Sequence, residues 1–330
     1  MTDAPPPHAA GDTSDPAAQP AQAPFPPGPA DAPTGDPARL PGSKRPADLR
    51  EPGYAGPVAG LPPQTGLTTD TAVFTQAYAV IPRTVMRDIV TSYLPGWTGM
   101  RMWVLARPLS GFAETFSQYV VELTPDGGSD RPDDDPEIQH AIFVTGGELR
   151  ITIAGTSHRL TPGGFAYVPP GTDWTVSNPG DGNCGFHWIR KRWQPVAGLD
   201  RPDPVIAQER EVPPSPMPET EGAWSTTRFV DPADLRHDMH VTIVTFTPGG
   251  SIPFAETHVM EHGLFVLEGK AVYRLNRDWV EVGPGDFMWL RAFCPQACYA
   301  GGPGVFRYLL YKDVNRHAPL WGGPDGRGRA

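Results

Sequence analysis

The sequence predicts an all-β protein, with two β-sandwich or barrel domains in tandem behind a disordered N-terminal tail. Three observations point there. From residue 74 onward, short runs of β-branched, aromatic and aliphatic residues (141–144, 149–153, 241–246, 264–267) alternate with Gly, Pro and Asp turns, and no segment sustains a 3.6-residue apolar period. Close turn spacing of this kind belongs to sandwiches and barrels. The second observation is an internal duplication: Phe143-Val144-Thr145-Gly146-Gly147 aligns with Phe265-Val266-Leu267-Glu268-Gly269 at an offset of 122 residues, which also carries Pro162-Gly163 onto Pro284-Gly285. So long a period means a duplicated domain rather than a solenoid repeat. The third is that 17 of the 42 prolines precede residue 67, in a stretch whose large apolar residues are scattered singly. Such a stretch buries too little surface to offset its ordering entropy.

Taken in order, these features divide the chain into a disordered tail at 1–67, a first β-domain at 68–194, a connector at 195–222, a second β-domain at 223–318 and a flexible tail at 319–330. The connector is assigned from prolines 195, 202, 204, 213, 214, 216 and 218.

Composition narrows the function. A formal charge of −10 argues against nucleic acid as a partner. The one basic run, Arg190-Lys191-Arg192, reads as a solvated strand end rather than a phosphate patch. No apolar run reaches the roughly 18 residues that span a bilayer. A basic n-region with an apolar h-region is missing from the start, so no secretory signal is expected. Cys184, Cys294 and Cys298 are too few for a disulfide framework and fit a reducing compartment, with cytoplasm as the expected location.

The second domain holds the candidate chemistry. Glu256, His258 and His262 share parity, so on a strand their side chains would converge on one interior point. A lone histidine is better read as a hydrogen-bonded core residue. One carboxylate and two imidazoles on one face are better read as a metal site, because an unpaired carboxylate inside a barrel is expensive. The segment also fits the H-x-x-E-H zinc-protease pattern through Glu261. That pattern needs a helix, and Pro253 before it and Gly263 after it oppose one. Cys294 and Cys298 are taken as small buried residues, and Asp238 and His240 as surface or supporting groups.

The spacing of Gly250, Glu256, His258, His262 and Gly269 resembles the first cupin motif, with Glu and His exchanged relative to the usual order. The second motif opens at Gly283-Pro284-Gly285-Asp286 and puts Gln296 at its ligand position. More narrowly, Glu-Thr-His-Val-x-Glu-His-Gly at 256–263, Asn276-x-x-Trp279, Gly285-Asp286-Phe287-Met288 and Tyr311-Lys312-Asp313-x-Asn315-Arg316 resemble the (S)-ureidoglycine aminohydrolase family. The resemblance covers about residues 65–318 and is densest in the second half. It implies a bicupin of two antiparallel jelly-roll barrels and one Mn²⁺ per chain held by Glu256, His258, His262 and Gln296. It also implies hydrolysis of (S)-ureidoglycine to (S)-ureidoglycolate and ammonia, within purine and allantoin degradation. Glu256, Gln296, Tyr273, Tyr308 and Lys312 would contact substrate, with Lys312, Tyr308 and Glu256 in catalytic roles. The family also implies a homo-oligomer.

A mixed oxygen and nitrogen donor set suits Mn²⁺ and leaves two octahedral positions for a chelating α-amino acid. In the first domain the same offset places Asp134, Pro136, His140 and Trp174, so that barrel is expected to be metal-free. An Fe²⁺-dependent oxygenase and a non-catalytic ligand-binding bicupin are the alternatives.

Overall fold

The computed structural model describes residues 51–61, 72–108, 111–314 and 316. Most of the expected N-terminal tail and all of the C-terminal tail lie outside the described residues. Within them, two short strands come first, β1 (Val73–Phe74) and β2 (Tyr78–Ile81). The first barrel follows as β3 (Thr98–Ala106), β4 (Ser117–Ser129), β5 (Ile138–Gly146), β6 (Leu149–Ile153), β7 (Thr156–Leu160), β8 (Gly164–Val168), β9 (Trp174–Ser177) and β10 (Cys184–Arg192). Next come β11 (Val205–Gln208) and β12 (Ser215–Pro216). The second barrel is β13 (Trp224–Arg228), β14 (Met239–Phe246), β15 (Ser251–Glu256), β16 (His262–Glu268), β17 (Ala271–Leu275), β18 (Asp278–Val282), β19 (Phe287–Leu290), β20 (Gln296–Tyr299) and β21 (Phe306–Asp313).

The first barrel is one sheet in the order β11-β8-β5-β10-β4-β9-β6-β7, with β3 added on β4. The second is an eight-stranded sheet, β1-β2-β19-β16-β21-β14-β13-β12, and a four-stranded sheet, β15-β20-β17-β18. These orders shift the boundaries expected from sequence. β2, assigned to the first domain, pairs with β19 of the second barrel. β11, assigned to the connector, pairs with β8 of the first. Residues 51–61, assigned to the tail, lie against the barrels: Gly53 N donates to Glu268 Oε2 at 2.8 Å and Ala55 N to Leu267 O at 2.9 Å. Paired backbone groups explain why a proline-rich stretch holds one conformation there.

The continuous apolar runs have a direct cause. In β5, Ile142 and Val144 enter the core of the first barrel, while Ala141 and Phe143 enter a cluster shared by both barrels. In β16, Leu264 and Val266 fill the second barrel, while Phe265 and Leu267 join the shared cluster. Strand alternation thus delivers apolar groups to two different cores, and neither face is left for water. The repeated Gly147 and Gly269 close equivalent turns with φ of +69° and +78°. A Cβ at Gly269 would lie 2.0 Å from Val305 O, and one at Gly147 would lie 2.5 Å from Asn183 O. The duplication therefore preserves a steric requirement of the fold.

Buried polar groups lock the barrels together. Asp238 accepts from Lys191 Nζ at 2.7 Å and Gln194 N at 2.8 Å. The basic run is therefore only partly solvated: Lys191 is buried, and Arg190 and Arg192 pair with Asp133 and Asp135. Glu261 accepts from Glu114 N at 2.6 Å, Thr115 N at 2.9 Å and Trp289 Nε1 at 2.6 Å. Asp238, expected as a surface or supporting group, is buried, which leaves the supporting alternative.

Candidate metal centre

One cavity of about 120 Å³ opens inside the second barrel, and it gathers Glu256, His258, His262, Gln296, Tyr308 and Lys312. Convergence of the two histidines with Glu256 comes from a turn rather than from strand parity. Glu256 ends β15, His258 lies in the following loop, and His262 begins β16. Gln296 opens β20 directly across from Glu256 in the ladder.

Glu256 Oε1 is the hub. It accepts from Gln296 Nε2 at 3.2 Å and lies 3.2 Å from His258 Nε2. The His258 and His262 rings are 5.0 Å apart between centroids. His262 is 4% exposed, and its Nε2 is buried without a hydrogen-bond partner among the described residues. Among the described residues, no group of three or more His, Cys, Asp or Glu side chains is placed to hold a metal ion. The fit to a cation rests on donor chemistry: a carboxylate, two imidazoles and an amide share one cavity, and a buried imidazole nitrogen there has nothing to bond. Burial, aided by His258 and Lys312, pushes the His262 pKa down to about 3, so its imidazole is neutral and able to ligate at neutral pH.

Lys312 and Tyr308 alternate along β21 toward the cavity. In the ladders Lys312 stands between His240 on β14 and His262 on β16. Burial and then Arg228 lower the Lys312 pKa, with Glu256 opposing them. Tyr273 does not line the cavity. It is fully buried behind the wall and donates its hydroxyl to Tyr308 Oη at 2.9 Å. Burial, more than any neighbour, raises both phenols well above the usual value.

Sequence reasoning missed the wall built by β13 and β14. Trp224, Thr226 and Arg228 line the cavity from one strand, and His240, Thr242 and Val244 from the next. His240 is thus a cavity group rather than a surface one. Burial, then Lys312, pushes its pKa down to about 4. The available signal was the period of two at 224, 226, 228 and at 240, 242, 244.

At the matching positions of the first barrel, His140 Nδ1 accepts from Trp188 Nε1 at 3.3 Å, and its ring lies 4.8 Å from Trp174. Two indoles surround the one retained imidazole. Cys294 and Cys298 are buried free thiols, as expected.

A cupin domain model matches residues 119–190 and 242–310. The (S)-ureidoglycine aminohydrolase of Escherichia coli K12 is 31% identical over 235 residues, covering 70% of this chain and 87% of that protein. The Arabidopsis thaliana enzyme of the same name is 31% identical over 229 residues, covering 69% and 74%. Among solved structures, a Pseudomonas aeruginosa protein named for induction by glyoxylate is 64% identical, with a TM-score of 0.76 over 82% of this chain and 99% of that one. The E. coli protein YlbA is 27% identical, with a TM-score of 0.66 over 76% and 97%.

Proposed function

We propose, because the chain belongs to the (S)-ureidoglycine aminohydrolase family of the cupins, that it is a hydrolase of purine degradation acting on (S)-ureidoglycine. The observation that carries the reading is one small cavity joining Glu256, His258, His262 and Gln296 to Tyr308 and Lys312. The quartet would hold a divalent ion, Mn²⁺ by its donor set, which when bound supplies Lewis-acid chemistry and an anchor for substrate.

The chain's own groups do the rest. In the net reaction, a water oxygen replaces the amino nitrogen on the α-carbon, and one water proton leaves with ammonia. Lys312, with its lowered pKa, gives up a proton more readily than a solvated lysine, which suits it to this transfer. Tyr308, backed by Tyr273, directs a hydroxyl at the ureido group. Leu264 and Leu310 give the cavity an apolar side that limits stray water. Orientation by these contacts would select one face of the α-carbon. The first barrel carries no metal in this reading, consistent with the indoles packed around His140. Cytoplasmic location and homo-oligomeric assembly are parts of the same proposal; no helix among the described residues is long and apolar enough to cross a membrane.

The test is ammonia release from freshly generated ureidoglycine by Mn²⁺-loaded protein under nitrogen. One ammonia per substrate, above the spontaneous rate, is expected. A requirement for O₂, or no release, would overturn the reading.

A further inference from the structure

The wall formed by β13 and β14 holds groups that the ligand quartet does not use. Arg228 lines the cavity at the end of β13 and has no hydrogen-bond or ion-pair partner among the described residues. Lys312 lines the same cavity and likewise has none. The two cations repel each other across it, and Arg228 is the charged group that most depresses the lysine. Among the described residues, the only carboxylate on the cavity wall is Glu256, already shared by His258 and Gln296.

Three neighbours add to the imbalance. Among the described residues, Trp224 Nε1, Thr226 Oγ1 and His240 Nε2 are buried and find no hydrogen-bond partner, and all three residues line the cavity. Buried polar atoms are almost always satisfied, so several orphans around one void point to a polar ligand. Two unpaired cations and an indole donor ask for an anion rich in acceptors. A guanidinium offers a planar fork that matches a carboxylate, whereas an ammonium acts as a point charge.

We propose that Arg228 is the specificity-determining residue of this site, holding the substrate carboxylate and restricting substrates to ureido compounds with a free carboxylate. The inference rests on the reading of the cavity as the substrate site. It adds a residue from β13 that the motif-bearing strands do not contain.

The test uses two stable probes, N-carbamoylglycine and its uncharged amide, with binding to Mn²⁺-loaded protein measured by titration calorimetry. The native protein should bind the acid about 10- to 100-fold more tightly than the amide, the factor a charge-assisted hydrogen bond supplies. Arg228→Gln should erase most of that preference while metal per chain and melting temperature stay as they were. Arg228→Lys, with charge but no fork, should retain part of it. An undiminished preference in Arg228→Gln would overturn the proposal, as would native protein that fails to distinguish acid from amide. Ammonia release by native protein separates the two levels. Release with an unchanged Arg228→Gln preference removes only the arginine's role. No release and no binding of either probe removes the site reading as well.

Discussion

Removing the Glu261 carboxylate should loosen both the joint between the barrels and the metal loop. Glu261 sits one residue before His262 and accepts from Glu114 N, Thr115 N and Trp289 Nε1, with Thr115 Oγ1 at 2.5 Å as a fourth donor. In Glu261→Ala the donors of Glu114 and Thr115, which are exposed residues, can turn to water. The indole of Trp289, 3% exposed, cannot. An orphaned buried donor costs about 1–3 kcal/mol, and losing charge-assisted bonds to the other donors adds about 1 kcal/mol more, so we expect a loss of about 2–4 kcal/mol. Glu261→Gln keeps one acceptor oxygen but turns an NH₂ toward donors, and should lose about half as much. Freed from its anchor, the loop carrying His258 should also bind metal about 10- to 100-fold more weakly, as when a supporting partner is removed from a metal site. Urea unfolding of metal-stripped protein measures the first effect without ligand linkage, and competition with a chelator measures the second. A Glu261→Ala unfolding free energy within about 0.5 kcal/mol of the native protein's would refute the clamp.

His187, 1% exposed and with neither ring nitrogen hydrogen-bonded among the described residues, has its pKa pushed by burial down to about 3. Its depressed folded pKa gives stability present above about pH 6.5 and lost as pH falls toward 3, at about 1.4 kcal/mol per pH unit for one proton. His187→Leu should remove that slope and leave neutral-pH stability equal or higher; an unchanged acid profile would contradict it. Lys312→Ala should retain metal yet lose about 100-fold or more in turnover, while Gln296→Ala should lose metal first; full turnover in both would defeat the assignment. Gly269→Ala, which puts a Cβ 2.0 Å from Val305 O at φ +78°, should lower the melting temperature by well over 5 °C, and a neutral result would show that the turn can relax.

Much of the fold was legible because the duplication repeats steric necessities. Phe143 with Gly147, and Phe265 with Gly269, mark the same strand and turn in each barrel. The strand exchanges were not legible. Nothing in residues 78–81 announces β19 as their partner, and nothing in 205–208 announces β8, because ladder pairing depends on which edge is open after the barrels form. The motif residues Glu256, His258, His262 and Gln296 do share one cavity, though for Glu256 and the histidines the converging device is a loop between strands rather than one strand's parity. Tyr273, expected as a substrate contact, lies behind Tyr308 and off the cavity wall, since sequence spacing gives a face but not a depth. Arg228 escaped notice and His240 was not placed in the cavity, because each is a single polar residue on an ordinary alternating strand, and only the barrel's closure brings them to Lys312.

The central claim is that a metal held by Glu256, His258, His262 and Gln296 serves hydrolysis in the second barrel. The most direct measurement is metal content and anaerobic ammonia release, determined together on native protein and on His262→Ala. The account predicts one divalent ion per native chain with ammonia release, and loss of both in a variant that stays folded. A His262→Ala protein that still binds one ion and still releases ammonia at the native rate would contradict it.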